Sequence, residues 1–333
     1  MSELRQNIAT KEWVIIASER ARRPNEFVAS EERSFSTTSR PAYDPHCPFC
    51  PGNEELELEI ARLPQHDSWQ TRVVRNKYPA LAIEGELTRT FNGVERHISG
   101  VGHHEVLIEH PSHNTTLALM RDDEVRTVFE TYQQRGAFIG RDPRIEQIIY
   151  FKNHGERAGA SLMHAHSQII GLPIVPGDIR HRTEEARRFF DDTGSCVFCT
   201  MLNDELQRNE RIIAFNEHFV AFVLYAASSP FHSWILPRHH RASFQNASAD
   251  ELSALASVVR ETLQRIYVGL KDPDLNMVIR STPVRDTENS YFHWYISIIP
   301  RLSRSAGFEL GSGVWINPLL PETCATFLRD VQL

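Results

Sequence analysis

His164 and His166, two residues apart and followed by Gln168, are the strongest chemical signal in this chain. They sit in IIYFKNHGERAGASLMHAHSQIIG (148–171), where an apolar run from Ile148 to Phe151 is followed by Gly155, a Gly159-Ala160-Ser161 turn and a second run ending at Ile170. This pattern predicts a hairpin. Alternation along the returning strand places His164, His166 and Gln168 on one face and Ala165, Ser167 and Ile169 on the other. A pair of strand histidines alone would pass as satisfied or exposed side chains, but three polar groups on one face make poor core packing. The small turn residues Gly159, Ala160 and Ser161 let a ligand approach the backbone, and the Gln168 amide can donate to a phosphoryl oxygen. An imidazole beside such donors can attack phosphorus, dividing one transfer into two easier ones.

Four of the five cysteines form two pairs, Cys47-Pro-Phe-Cys50 and Cys196-Val-Phe-Cys199, leaving Cys324 alone. In a reducing compartment such pairs indicate zinc or redox chemistry before disulfides. A redox Cys-x-x-Cys opens a helix after a strand, whereas Cys47 follows the irregular PAYDPH, so zinc is the better reading.

The elements that position these residues repeat. In the first half Cys47/Cys50 precede a strand near Thr71, a strand from His104 to Glu109 broken at Pro111-Ser112-His113, a helix predicted from Asp122 to Ile139, and the hairpin. In the second, Cys196/Cys199 precede strands at Arg211 to Phe215 and His218 to Leu224, then a strand ending at Pro237-Arg238-His239-His240. A helix follows from about 249 to 268, then a strand from Met277 to Arg280 and a strand bearing His293. Superposing the two plans pairs Cys47/Cys50 with Cys196/Cys199, His113 with His240, and His164 with His293. Each half then offers two thiolates and two imidazoles, a closed and therefore structural zinc set, about two ions per chain. For the second set His239 or His232 could replace His240. His164-Ala165-His166 aligns with His293-Trp294-Tyr295, so the ligand is repeated and the nucleophile is not.

The chain has 333 residues, 41% hydrophobic and 24% charged, with a net charge of −7. That suits a globular body of two ordinary domains or one large α/β unit and argues against nucleic acid or an anionic membrane as partner. MSELRQNIATKEW carries no apolar signal core, and no run approaches the roughly 18 apolar residues of a membrane span, so a cytoplasmic location is expected. There is no Gly-x-x-x-x-Gly-Lys loop and no obvious carboxylate magnesium pair, which disfavours kinase chemistry. A zinc-ribbon nucleic-acid module is disfavoured by the negative charge and by the distance of each histidine ligand from its cysteine pair. A phosphodiester hydrolase using the same histidine is the nearer rival.

The small-residue turn leading into His-x-His-x-Gln resembles the active-site segment of the galactose-1-phosphate uridylyltransferase family, within the histidine-triad superfamily. Ala165 stands where many members have Pro, as in the ADP-glucose phosphorylase-like branch, which GSGVWINPLLP and HWYISIIPRL also resemble. The resemblance covers nearly the whole chain and implies an α+β fold of two fused histidine-triad-like units, with antiparallel sheets and packed helices. Residues 1–180 would form the catalytic unit and 181–333 the second. It makes His166 the nucleophile, His164 a metal ligand, and Gln168 and Ser161 supports of the transferred phosphoryl group, with Phe151, Asn153 and Gly159 in the binding hairpin. It puts Arg20 and Arg23 near the nucleotide phosphates and Asn76 at the base or ribose. Lys77 stands where better known uridylyltransferases carry Asp. Gly307, Phe308 and Glu309 would reach the hexose, often in a partner subunit's site, so a homodimer is expected. The implied reaction is ping-pong transfer from UDP-glucose to a hexose 1-phosphate such as galactose 1-phosphate; the alternative is adenylyl transfer from ADP-glucose to phosphate.

Overall fold

The computed structural model describes residues 2–17, 37–64, 68–303 and 306–333. The first half contains β1 (Glu3–Gln6), β2 (Trp13–Ile16), β3 (Glu59–Leu63), β4 (Thr71–Arg75), a hairpin of β5 (Arg89–Asn92) and β6 (Glu95–Ile98), β7 (His103–Ile108), α1 (Asp122–Ile139), β8 (Gln147–His154) and β9 (His166–Leu172). The second contains α2 (Gly177–Thr193), α3 (Val197–Arg208), β10 (Ile212–Phe215), β11 (Phe219–Val223), β12 (Ser233–Pro237), α4 (Ala249–Leu270), β13 (Leu275–Arg280), β14 (Tyr295–Pro300), α5 (Gly307–Ser312), β15 (Trp315–Asn317) and α6 (Pro321–Arg329).

Ten strands form one antiparallel sheet in the order β10-β11-β12-β14-β13-β8-β9-β7-β4-β3. Read outward from the centre, the halves run β8-β9-β7-β4-β3 and β13-β14-β12-β11-β10, the same plan twice. They meet where β8 pairs with β13, with Phe151 opposite Val278. Phe151 also faces Gln168 across β9, and Val278 faces Ser297 across β14, so this pair marks the pseudo-two-fold. A separate small sheet joins β1, β2 and β15.

One face of the large sheet is dry. Tyr150, Ile169, Ile279 and Ile296 are buried there in one cluster with Val128 and Phe129 of α1 and Leu255 and Val259 of α4. The helices start where their sequences can satisfy free N–H groups. Ser248 Oγ accepts from Glu251 N–H (3.2 Å) while Glu251 accepts from Ser248 N–H (2.8 Å), and Asp122 and Asp123 give α1 an acidic first turn. On the opposite face Phe151, Asn153, Gln168, Asn276 and Arg280 are half-buried, which leaves the centre of the sheet open to a ligand. No helix among the described residues is long and apolar enough to cross a membrane.

The repeated plan, the antiparallel pairing with packed helices and the bounds of α1 agree with the sequence reading. Three features differ. β9 begins at His166 and β14 at Tyr295, so His164 and His293 precede their strands and do not share the alternation of His166. α2 is charged along most of its length, with Ile179, Glu185 and Ala186 its buried residues, so no apolar stripe announces it. Cys196 is the N-cap of α3, so this second pair does open a helix.

Phe129 is fully buried and packs edge-on against Phe244 and at a tilt against Tyr132. Phe129→Ala is expected to cost about 3–5 kcal/mol, read as a lower urea midpoint.

Candidate active site and metal clusters

The β8–β9 connection is a tight turn pinned from a distance. Gly155 and Gly159 have φ of 83° and 89°, the left-handed region that disfavours side chains, and a Cβ on Gly155 would also overlap the Asp274 carboxylate. Asp274 Oδ2 accepts from Arg157 N–H (2.7 Å), which holds the turn against the segment entering β13. Asn153 Oδ1 accepts from Asn276 Nδ2 (2.8 Å), and Asn276 also donates to Ala158 O (2.9 Å). The turn walls a pocket of about 870 Å³ whose lining includes Asn153, Gly155, Ser161, His164 and His166.

His166 Nδ1 lies 2.8 Å from the His164 carbonyl oxygen. A carbonyl only accepts, so Nδ1 carries the proton and Nε2 keeps a lone pair. Burial holds the His166 imidazolium below its ordinary range, against the partly offsetting His164 carbonyl, and favours this neutral tautomer. From behind the strand, Lys152 Nζ donates to His166 O (3.3 Å) and pairs with Glu109 Oε2 (2.6 Å), both side chains almost fully buried. The nucleophile candidate is therefore fixed at its ring and at its own carbonyl.

Gln168 shares the open face with His166 but lies outside the lining of this pocket. Its Oε1 is 2.7 Å from His104 Nε2, and His104 Nδ1 accepts from Ala80 N–H (3.0 Å). The proton must then be on His104 Nε2, which donates to Gln168 Oε1 and leaves the Gln168 NH2 group free to donate elsewhere. Asn76 Nδ2 lies 3.0 Å from the same His104 nitrogen, a contact between two donors rather than a hydrogen bond, while its Oδ1 accepts from Tyr78 N–H (2.9 Å), so the predicted nucleoside contact sits beside the His104–Gln168 pair. His104, Lys152 and Glu109 were not singled out in the sequence. The internal repeat holds the signal for His104, because the β7 and β12 registers match it to His232.

Two side-chain clusters carry the cysteine pairs, and the first shares His164 with the pocket lining. Cys47, Cys50, His113 and His164 converge, as do Cys196, Cys199, His240 and His293, with ligand atoms within 4.8 Å of one another in each set. Cys50 Sγ is 3.5 Å from both His113 Nδ1 and His164 Nδ1, and Cys199 Sγ is 3.4 and 3.5 Å from His240 and His293 Nδ1. Tetrahedral bonds of about 2.3 Å to sulfur and about 2.0 Å to nitrogen give S···N edges of about 3.5 Å, so both sets fit a four-coordinate metal ion. His164 Nε2 donates to His110 O (2.7 Å) and His240 Nε2 to Asn289 O (3.0 Å), which leaves each Nδ1 for the metal. Burial pushes His164 down to about 4, the neutral form a metal requires. His240 therefore takes the place that His239 and His232 could also have filled; His232 bonds Ser228 and Ser297 instead.

The remaining expected contacts are dispersed. Lys77 is exposed and pairs with Glu55 (3.0 Å). Gly307, Phe308 and Glu309 lie on α5, off the lining of the His166 pocket. Arg20 and Arg23 fall outside the described residues.

A family model of the galactose-1-phosphate uridyl transferase N-terminal domain matches residues 1–176, and one of the C-terminal domain matches 182–310. The chain belongs to the galactose-1-phosphate uridylyltransferase family. It is similar to an ADP-glucose phosphorylase of Arabidopsis thaliana, at 36% identity over 99% of this chain and 93% of that relative. It is also similar to a galactose-1-phosphate uridylyltransferase of Thermotoga maritima, at 27% identity over 100% and 99%. A crystal structure of the Arabidopsis ADP-glucose phosphorylase with bound ADP-glucose superposes with a TM-score of 0.84 at 34% identity, covering 100% of this chain and 99% of that one. Nucleotidyl transfer is the chemistry of this family, and the chain is a nucleotidyltransferase.

If the second cluster holds a structural ion, Cys196→Ser should lower metal content by one ion per chain by elemental analysis and reduce Tm, with nucleotidyl exchange retained at temperatures where it stays folded.

Proposed function

We propose that the chain transfers a nucleotidyl group between phosphates through a covalent bond to His166 Nε2. The observation that carries this reading is the His166 ring itself: Nδ1–H is held by the His164 carbonyl, which leaves Nε2 unprotonated, and His166 and Ser161 both line a pocket of about 870 Å³. Nε2 forms a bond to the α-phosphorus of a nucleoside diphosphate sugar as the bond to the leaving oxygen breaks. Sugar 1-phosphate departs with that electron pair as an anion and needs no proton. Nδ1 keeps its proton throughout, and the His164 carbonyl dipole stabilises the positive charge on the nucleotidyl-imidazolium. A phosphate oxygen of the acceptor then displaces His166. Ser161 and the free NH2 of Gln168 donate to the transferred phosphoryl oxygens, with Phe151, Asn153 and Gly159 shaping the site and Asn76 and Lys77 near the nucleoside.

The donor and acceptor follow the family in the first instance: UDP-glucose and a hexose 1-phosphate, galactose 1-phosphate above all, as in galactose metabolism. Adenylyl transfer from ADP-glucose to inorganic phosphate is a second reading. It is favoured by the 36% identity to an ADP-glucose phosphorylase against 27% to a uridylyltransferase, and by Lys77 in place of Asp. The two metal ions are proposed to be zinc, structural in role because each set is closed. A homodimer is proposed because α5 presents Phe308, 48% exposed, and Leu310, 80% exposed, away from the chain's own His166 pocket, where a second subunit can use them.

Incubation with labelled donor and no acceptor should load at most one nucleotidyl group per chain, in an acid-labile phosphoramidate, because Tyr295 stands where the second half would need an imidazole. His166→Asn should abolish labelling with zinc content intact, whereas His164→Asn should lose one zinc ion and destabilise the first half. Labelled His166→Asn, or loss of label in Tyr295→Phe, would refute the assignment. Competition of UDP-glucose against ADP-glucose at equal concentration decides the donor; strong preference for ADP-glucose with phosphate as acceptor overturns the uridylyl reading.

A further inference from the structure

The pseudo-two-fold that maps β8 and β9 onto β13 and β14 also maps the residues of the open face. His166 corresponds to Tyr295, Gln168 to Ser297, Asn153 to Arg280 and His104 to His232. The bond from the β7 histidine to β9 is kept in the copy, with His232 Nε2 2.9 Å from Ser297 Oγ. At this mirrored position the second half has its own cavity of about 380 Å³, open on the same face of the sheet.

Its cations are all guanidinium groups, set against the carboxylates of Glu12, Asp178 and Glu309. Arg280 replaces an asparagine, and Arg182 of α2 and Arg301 after β14 join it. Arg182 donates to the Tyr295 hydroxyl (3.2 Å) and to Asp178, and Asp178 also pairs with Arg280 (3.1 Å); Glu12 lies 3.7 Å from Arg182. Glu309, at the rim, has one oxygen on Ala306 N–H. Arg301 has a side-chain bond to Asn276 and no carboxylate ion pair among the described residues. Their charges are felt by His232, half-buried in the cavity wall: burial pushes it down to about 3, and the charges of Arg182, Arg280 and Arg301 act in the same direction. Ser229 Oγ lines the same space, buried and without a hydrogen-bond partner among the described residues. An orphaned hydroxyl beside converging guanidinium groups is the donor set of a phosphate site.

We propose that this mirrored cavity binds a phosphate monoester without transforming it. The phosphate sits between Arg280, Arg301 and Ser229, and the carboxylates of Glu12 and Glu309 and the half-buried Trp315 ring are left to meet hydroxyl groups and the face of an attached sugar. No bond to phosphorus forms, because Tyr295 offers a phenol already bonded to Arg182, where the first half offers a neutral imidazole.

The test is calorimetric titration of the metal-loaded full chain with glucose 1-phosphate and, separately, with inorganic phosphate. Arg280→Gln should weaken one binding event about tenfold or more, Arg280→Lys should weaken it less because charge survives without the fork, and donor exchange at His166 should be unchanged. His166→Asn should retain the Arg280-sensitive event, so failure of the covalent mechanism would not disturb this result. Equal affinity for the two probes would assign the site to phosphate itself, and preference for glucose 1-phosphate to a sugar phosphate. Should Arg280→Gln unfold, Ser229→Ala carries the same test, since it removes only the orphaned hydroxyl that is to donate to the phosphate. Superimposable isotherms for the wild type and a folded Arg280→Gln or Ser229→Ala variant would overturn the proposal.

Discussion

His164 does two things at once. Its ring belongs to the first Cys2His2 cluster, and its carbonyl accepts the Nδ1–H of His166. The side chain proposed to bind metal thereby fixes the peptide that selects the tautomer of the proposed nucleophile. Neither role would be secure alone, since a free loop could not hold a carbonyl to one ring orientation. Lys152 secures the opposite end of His166, and its own charge is answered by Glu109 in a place with almost no water. Removing one member of such a pair costs about 3–5 kcal/mol, so this support is rigid as well as buried.

The two halves show which parts of the duplicated plan are structural and which are chemical. Both keep the cysteine pair, the two imidazoles, the long helix and the strand order. They part at His166 and Tyr295, and the environment changes with them. Tyr295 stacks on Trp234 at 4.0 Å and bonds Arg182, whereas the His166 ring lies beside Phe49 with its second nitrogen uncommitted among the described residues.

Much of this was legible in the sequence because it is written in spacing. The cysteine pairs, the matched histidines and the helical periodicity of α1 and α4 are local signals that recur, and recurrence separated them from chance. What escaped is what depends on distant partners. His164 was read as part of a strand because alternation was carried back through it, but its ring turns to Cys47 and Cys50, more than a hundred residues away. The pinning of Gly155 and Arg157 by Asp274 has no local trace. Hydrogen-bond chains such as Ala80 to His104 to Gln168 join three separate segments.

The pairing of β8 with β13 has a mechanical consequence. An open crease between the halves would require breaking five consecutive residue pairs of an antiparallel ladder at the centre of a ten-stranded sheet, from Tyr150–Ile279 to His154–Leu275. Ladder bonds do not stretch gradually, so the molecule has no clamshell motion along its midline. Reactants that must enter and leave between the two steps of a ping-pong cycle therefore pass over a stationary platform, and any gating falls to the segments around its rim.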